Sequence, residues 1–110
     1  MLFNLNQTNT TTINPTSRIA KTTTTVPVTT TVGPALPANP NRTNYSIYNA
    51  GISTVYLREG AVVTSTNYDV IIPAGFYWRE DFAAGKYTGV ISVITASGTA
   101  SLQVSEGATS

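Results

Sequence analysis

Short runs of β-branched and aromatic residues, separated by Gly, Pro and Asn, occupy residues 41–110. The runs alternate apolar and polar residues with the two-residue period of a strand, and none has the 3.6-residue period of an amphipathic helix. Roughly six to eight strands at about ten-residue spacing are typical of two packed antiparallel sheets or of a small barrel. The sequence therefore predicts an all-β fold, a small antiparallel β-sandwich or barrel.

Alternation within these runs predicts which side chains share a face. Residues 43–49, 54–58 and 86–96 are predicted strands, and the last is expected to be the longest. A turn is predicted at residues 73–75, because Pro73 disfavours helix and Gly75 supplies a positive φ. The side chains predicted to share a face within their strands are Tyr45, Ile47 and Asn49, then Val55 and Leu57, and finally Leu102 and Val104, which are expected to face inward.

Residues 1–40 have a different composition, with twelve Thr, five of the six Pro and only two charged residues. Thr favours extended backbone and Pro fixes φ, so the sequence predicts an extended arm over residues 1–40, followed by the β domain at residues 41–110. Alternation of Val with Thr predicts a strand, which Pro27 confines to an edge position. We expect this strand to add to the open edge of a partner's sheet, and a linker that binds nothing is the alternative. The residues predicted to bind the partner are Arg18, Lys21, Val26, Val28 and Val32.

The chain has no Cys and no His, and only 10% of its residues are charged. Disulfides and the common zinc sites are therefore excluded, and the scattered acids show no calcium-loop spacing, so no metal or cofactor is predicted. A domain of about 70 residues without disulfides or metals usually needs oligomerisation or a partner to be stable. We therefore expect self-association or binding to a larger protein.

Several function classes are disfavoured by the sequence. The net charge of +1, without a cluster of Lys or Arg, argues against nucleic-acid binding. No apolar stretch approaches the ~20 residues that span a bilayer, and the N-terminus lacks the apolar segment of a secretory signal. A serine nucleophile would need a Lys base here, yet Lys21 and Lys86 lie in no such motif. The adjacent carboxylates of Glu80 and Asp81 point to opposite faces of a strand, so no enzyme activity is predicted.

The densest chemical grouping is the segment FYWRED at residues 76–81. Trp, Tyr and Arg are enriched at interface hot spots, so Tyr77, Trp78 and Arg79 are candidates for a subunit contact. The alternative is that Phe76 and Trp78 are core residues beside a solvated edge. A glycan-stacking site is a third interpretation, and such a site needs more than one exposed aromatic ring and a polar cradle.

Five short motifs follow one another through the second part of the chain. They are N-x-x-R at residues 39–42, I-x-N-x-G at 47–51, VYL…G at 55–60, I-x-x-G at 72–75 and G-T-A-x-x-x-V-x-E at 98–106. In this order the motifs resemble those of a group of small virion proteins of tailed bacteriophages.

The resemblance implies a capsid decoration or cement protein, located on the capsid surface of a virion and bound to the major capsid protein. It further implies a β-sandwich that self-associates, often as a trimer, with an N-terminal arm that clips neighbouring capsid subunits. The alternative function is a tail or fibre adaptor, or a module that binds host-surface glycans through the aromatic segment.

Overall fold

Two four-stranded antiparallel sheets make up the fold, which confirms the all-β prediction. The computed structural model describes residues 20–80, 85 and 87–109. Sheet I has the strand order β1-β8-β3-β6, and sheet II has the order β2-β7-β4-β5. The strands are β1 Thr22–Val28, β2 Gly33–Leu36, β3 Arg42–Asn49, β4 Val55–Glu59, β5 Val70–Ile72, β6 Tyr77–Glu80, β7 Ile91–Thr95 and β8 Ala100–Ala108.

The order of the strands is that of a jelly roll. Every connection between consecutive strands crosses from one sheet to the other, except the β4–β5 hairpin within sheet II. Eight strands wound in this way form two Greek keys, and the first strand lies beside the last. The two sheets pack face to face, and the core lies between them.

The core is built from the alternate residues that face inward. Tyr45, Ile47 and Asn49 of β3 are buried, as are Val55 and Leu57 of β4, and these faces were predicted. Leu102 and Val104 of β8 are also buried, while Gln103 between them is exposed. Truncating one such side chain to Ala typically costs about 2–5 kcal/mol, so these rows supply much of the stability.

The boundary predicted between arm and domain at residue 40 is wrong for residues 22–36. Strand β1 pairs with β8 along its whole length, from Thr22 opposite Glu106 to Val28 opposite Ala100. Strand β2 pairs with β7, and its Ala35 and Leu36 belong to the core together with Val28. The edge position of β1 is as predicted, but its neighbour is a strand of the same chain. Residues 1–19 of the predicted arm lie outside the described residues.

The sheet partner was missed because alternation of Val with Thr identifies a strand without identifying its neighbour. Pro27 was the only residue of the segment that restricted the position of the strand in a sheet. It lacks an amide donor and therefore requires an edge position, but it does not identify the neighbouring strand. The other ladder of β8 is formed with β3, so β1 completes the sheet on the remaining side of β8.

Two local predictions had different outcomes. The turn at residues 73–75 is confirmed: the Phe76 N–H donates to the Pro73 carbonyl at 3.0 Å, and Gly75 has a φ of 82°. The strand predicted at residues 86–96 is shorter, because only Ile91–Thr95 pairs with its neighbours. The longest strand among the described residues is β8, with nine residues.

Removing residues 1–19 should leave both sheets intact, since no described strand begins before Thr22. Removing residues 1–38 deletes β1 and β2, and with them three core residues. We expect the first variant to unfold at a temperature close to that of the full chain, and the second to lose cooperative unfolding, both measured by circular dichroism. A cooperative transition near the full-chain temperature in the 1–38 deletion would contradict the pairing of β1 with β8.

Candidate interaction surfaces

One buried arginine joins three parts of the fold. The Arg42 side chain is 0% exposed, and its Nε donates to Glu106 Oε2 at 2.7 Å. Its remaining nitrogens donate to three carbonyl oxygens: those of Tyr87 at 3.1 Å, Gly89 at 2.9 Å and Pro37 at 2.6 Å. The guanidinium thereby fixes the β2–β3 and β6–β7 connections against β8. Arg42 is therefore a structural residue with no donor directed at solvent.

Replacing Arg42 with Met should destabilise the protein by about 3–5 kcal/mol, because the carboxylate of Glu106 is left uncompensated in a largely buried position. The double variant Arg42→Met with Glu106→Gln should be less destabilised than Arg42→Met alone, since it leaves no unpaired charge. Urea unfolding measures both. A single variant within about 0.5 kcal/mol of the parent, the range of ordinary surface substitutions, would show that the pair is dispensable.

A buried asparagine fixes the β3–β4 connection in a similar way. Asn49 is 0% exposed, and its Nδ2 donates to the carbonyls of Ser53 at 2.8 Å and Ile72 at 2.9 Å. Its Oδ1 accepts the Gly51 N–H at 3.0 Å. A Cβ atom on Gly51 would lie 2.6 Å from the backbone nitrogen of Ser101, so only Gly fits this close approach. The motifs N-x-x-R and I-x-N-x-G therefore stabilise the fold.

The most acidic part of the described surface lies at one end of the sandwich. A cleft of about 210 Å³ is lined by Tyr45, Leu57, Glu59, Asp69, Val70, Trp78 and Glu80. The Tyr45 hydroxyl donates to Glu59 Oε2 at 2.9 Å, and Asp69 Oδ2 accepts the Glu59 N–H. Among the described residues, no three acids are grouped closely enough to hold a metal ion.

Burial raises the pKa of Tyr45 far above its usual value. The neighbouring Trp78 side chain opposes this rise in the pKa, and the hydrogen bond to Glu59 adds to it. The hydroxyl therefore keeps its proton in the folded protein at a pH where it ionises in the unfolded chain.

Because the folded-state pKa of Tyr45 is the higher one, its contribution to stability is complete below the ordinary tyrosine pKa of 10.0 and declines above it. We expect this group to lower the unfolding free energy by about 1.4 kcal/mol per pH unit in that alkaline range. The variant Tyr45→Phe should have a shallower alkaline decline than the parent in urea unfolding at several pH values. Equal slopes for the two proteins would contradict the raised pKa.

The solvent-facing side of sheet I carries two aromatic rings. Tyr48 and Tyr77 are opposite each other on β3 and β6, and they are 44% and 70% exposed. They line a groove of about 300 Å³ together with Thr23, Ser46, Ile47, Gln103 and Ser105. Arg79, in the same row as Ser46 and Ser105, is a charged residue on this side. We call this surface the tyrosine face, defined by Thr23, Ser46, Tyr48, Tyr77, Arg79, Gln103 and Ser105.

The structure separates the three residues predicted as a subunit contact. Tyr77 and Arg79 are exposed on the tyrosine face, whereas Trp78 lies opposite the fully buried Ile47 and packs against the core. Placement of Trp78 in the core agrees with the alternative interpretation of the segment. Phe76 departs from that interpretation, because it precedes β6 and is 63% exposed. Asp81 lies outside the described residues.

The residues predicted to bind a partner through the arm are also separated. Val28 is buried and Val26 packs against the core, so neither side chain is available to another chain. Their prediction as partner-binding side chains is therefore wrong, because both face sheet II of their own molecule. Lys21 precedes β1 and Val32 follows it in the sequence, and both residues are exposed. Arg18 lies outside the described residues.

The solvent-facing side of sheet II carries a row of apolar side chains. Ile71, Tyr56 and Ile94 are neighbours across β5, β4 and β7. The Tyr68 ring packs against Tyr56 with a centroid distance of 5.1 Å, and Ile52, which lines a cleft with Tyr56, is 92% exposed. We call this surface the aliphatic face, defined by Ile52, Tyr56, Tyr68, Ile71 and Ile94.

Sequence reasoning missed the aliphatic face as a site, although the sequence contained one signal. Val70, Ile71 and Ile72 are three consecutive apolar residues, whereas a strand with one solvated side needs only alternate ones. In β5 the middle residue of this run is 45% exposed, and Ile72 is buried.

Comparisons with family models, curated proteins and solved structures found no match for this chain. Within the part of the chain that the structure describes, no helix is long and apolar enough to cross a membrane.

Proposed function

We propose that the protein is a non-enzymatic structural protein of a tailed-phage virion, a decoration protein that binds the major capsid protein on the capsid surface through its aliphatic face. The observation that carries the proposal is the apolar row of Ile71, Tyr56 and Ile94 on the solvent-facing side of sheet II. Ile71 is 45% exposed, Tyr56 and Ile94 are partly exposed, and the 92% exposed Ile52 extends the row. Contiguous exposed apolar side chains on a small protein mark a contact with another protein.

The low charge of sheet II supports a contact of this kind. The four strands of sheet II contain two charged residues, Arg58 and Glu59. Arg58 lies on the aliphatic side, where it donates to the Val62 carbonyl at 3.3 Å. Docking there would desolvate few charges, so the cost that usually opposes burial of a surface is small. Many weak contacts repeated over a shell then act together.

The motif resemblance and the strand order both favour this function. Jelly rolls occur in viral capsid domains as well as in lectins, although the fold alone does not assign a function. Two of the resembling motifs contain Arg42 and Asn49, whose side chains hold the connections of the sandwich. Attachment is assigned to a face of the sandwich because β1 is already part of the chain's own sheet.

A second candidate function, glycan binding by a tail or fibre adaptor, is favoured by the tyrosine face. Tyr48 and Tyr77 are two exposed rings of the kind that stack on sugars. The groove beside them is lined by the hydroxyls of Thr23, Ser46 and Ser105 and by the Gln103 amide. This is the combination of several exposed aromatics and a polar cradle that a stacking site requires.

One pair of variants separates the two functions. Ile71→Ser changes the aliphatic face and Tyr77→Ser changes the tyrosine face. Both residues face solvent, with exposed fractions of 45% and 70%, so both variants should fold. The measurement is the number of copies that bind to purified particles lacking the protein. We expect Ile71→Ser to reduce binding at least about tenfold, as loss of a buried aliphatic contact of 1.4 kcal/mol or more does, and Tyr77→Ser to bind like the parent.

Copy number provides the independent readout. Hundreds of copies per particle are expected for a shell protein, whereas a few to a few dozen are typical of a tail component. If Tyr77→Ser abolishes adsorption to host cells while Ile71→Ser has no effect on particles, the glycan-binding function replaces the proposal. If Ile71→Ser leaves binding to particles unchanged and Tyr77→Ser leaves adsorption to host cells unchanged, both functions are contradicted.

A further inference from the structure

The outer edge of β1 is the longest open sheet edge in the described structure. Strand β1 has seven residues and contains no charged side chain, and its first four Thr residues are exposed. The other edge strands are shorter: β2 has four residues, β5 three, and β6 four, of which two are charged. Open edges are ordinarily protected by short length, charge, proline or a covering segment, and of these β1 has only Pro27, the residue before its last. No described residue pairs with β1 on this side.

Pro27 shows which backbone groups of β1 face outward. In an antiparallel strand, successive residues direct their N–H and C=O groups to opposite sides. Pro27 has no N–H, and β1 pairs with β8 in continuous register from Thr22 to Val28. Pro27 therefore occupies an outward position, and Thr23 and Thr25 share its orientation. The N–H and C=O groups of these two Thr residues are left open for another strand.

We infer that the open edge of β1 binds β1 of a second copy of this chain, antiparallel and about a two-fold axis. The pairing joins the two copies of sheet I into one continuous sheet of eight strands. Thr23 and Thr25 of each copy supply the donors and acceptors, and Thr side chains lie opposite Thr side chains, a favourable cross-strand pair. Pro27 lies towards the end of the paired segment, where its missing donor removes few bonds.

Charge selects the antiparallel arrangement. Lys21 immediately precedes β1 and is exposed. Parallel pairing of two identical strands would bring the two Lys21 side chains together, and like charges directly opposite are destabilising. Antiparallel pairing places them at opposite ends of the ladder, roughly 20 Å apart for a segment of about six residues. An isologous contact of this type closes on itself and produces a dimer.

The inferred dimer goes beyond the proposed function. Its test uses purified protein without particles, so the dimer and the decoration function can be contradicted independently of each other. Sedimentation equilibrium of the full chain should show a monomer–dimer equilibrium. Thr25→Pro removes an outward donor and leaves the β1–β8 ladder intact, since the Thr25 N–H does not face β8. By symmetry the dimer loses this donor twice, so we expect the dissociation constant to rise at least about tenfold.

Two further variants control for the side chain and for the proline. Thr25→Val keeps the amide but removes the hydroxyl that accepts a hydrogen bond from Gln103 at 3.0 Å, and it should weaken the dimer much less than Thr25→Pro does. Pro27→Thr restores an outward donor and should tighten the dimer. Thermal unfolding of each variant at low protein concentration establishes that the fold is kept. If Thr25→Pro does not fold, Thr23→Pro removes an outward donor nearer the end of the strand and provides the same test.

Three results would overturn the inference. The first is a full chain that remains monomeric at its highest soluble concentration. The second is an oligomer that this pairing does not predict: either a trimer, the state implied by the motif resemblance, or a dimer that Thr25→Pro does not weaken. The third is a full chain that is monomeric while the variant lacking residues 1–19 dimerises, because the leader of the chain would then be the occupant of the edge.

Discussion

The antiparallel ladder between β1 and β8 is the interaction on which the rest of the structure depends. It joins residues 22–28 to residues 100–106, close to the two ends of the described chain. The ladder covers one side of β8, the strand that contributes the fully buried Leu102 and Val104 to the core. Contacts between residues so far apart in sequence form only after a costly loop closure, so this closure is expected to come late in folding.

Polar side chains buried inside the jelly roll must have all or most of their hydrogen-bonding groups paired within the protein. Arg42 and Asn49 are completely buried, and each uses its side chain to hold irregular backbone that would otherwise have unsatisfied carbonyls. Both residues belong to the motifs N-x-x-R and I-x-N-x-G, on which the resemblance to phage virion proteins rests. Their geometry explains why such a pattern can recur among small β-sandwiches: it specifies connections between sheets. The contacts that we propose with other molecules involve the outer faces of the sheets and the open edge of β1.

Parts of the fold could be predicted because the signal is local. The faces of β3 and β4 follow from the alternation of Tyr45, Ile47, Val55 and Leu57, and the turn at residues 73–75 follows from Pro and Gly. The neighbour of β1 could not be predicted, because pairing is set by the whole sheet and the Thr-rich segment resembles a free arm in composition. The role of Phe76 was predicted wrongly in the alternative interpretation, because alternation was extended past the true start of β6.

The aliphatic face was missed for a related reason. Ile71, Tyr56 and Ile94 belong to three different strands, and they become neighbours only through the register of sheet II. Each of them alone is an unremarkable apolar residue in a strand. Their assembly into one row on the solvent-facing side of sheet II is a property of the folded molecule, and the proposed binding to a protein partner rests on it.

Amide hydrogen exchange along β1, followed residue by residue in dilute solution, tests the central claim most directly. In the monomer, the N–H groups of Thr24, Val26 and Val28 face β8 and should be protected, while those of Thr23 and Thr25 should exchange rapidly. Alternating protection of this kind is the result that pairing within the chain predicts. Rapid exchange at all of these positions would mean that residues 22–28 do not pair with their own sheet, and the account would be contradicted.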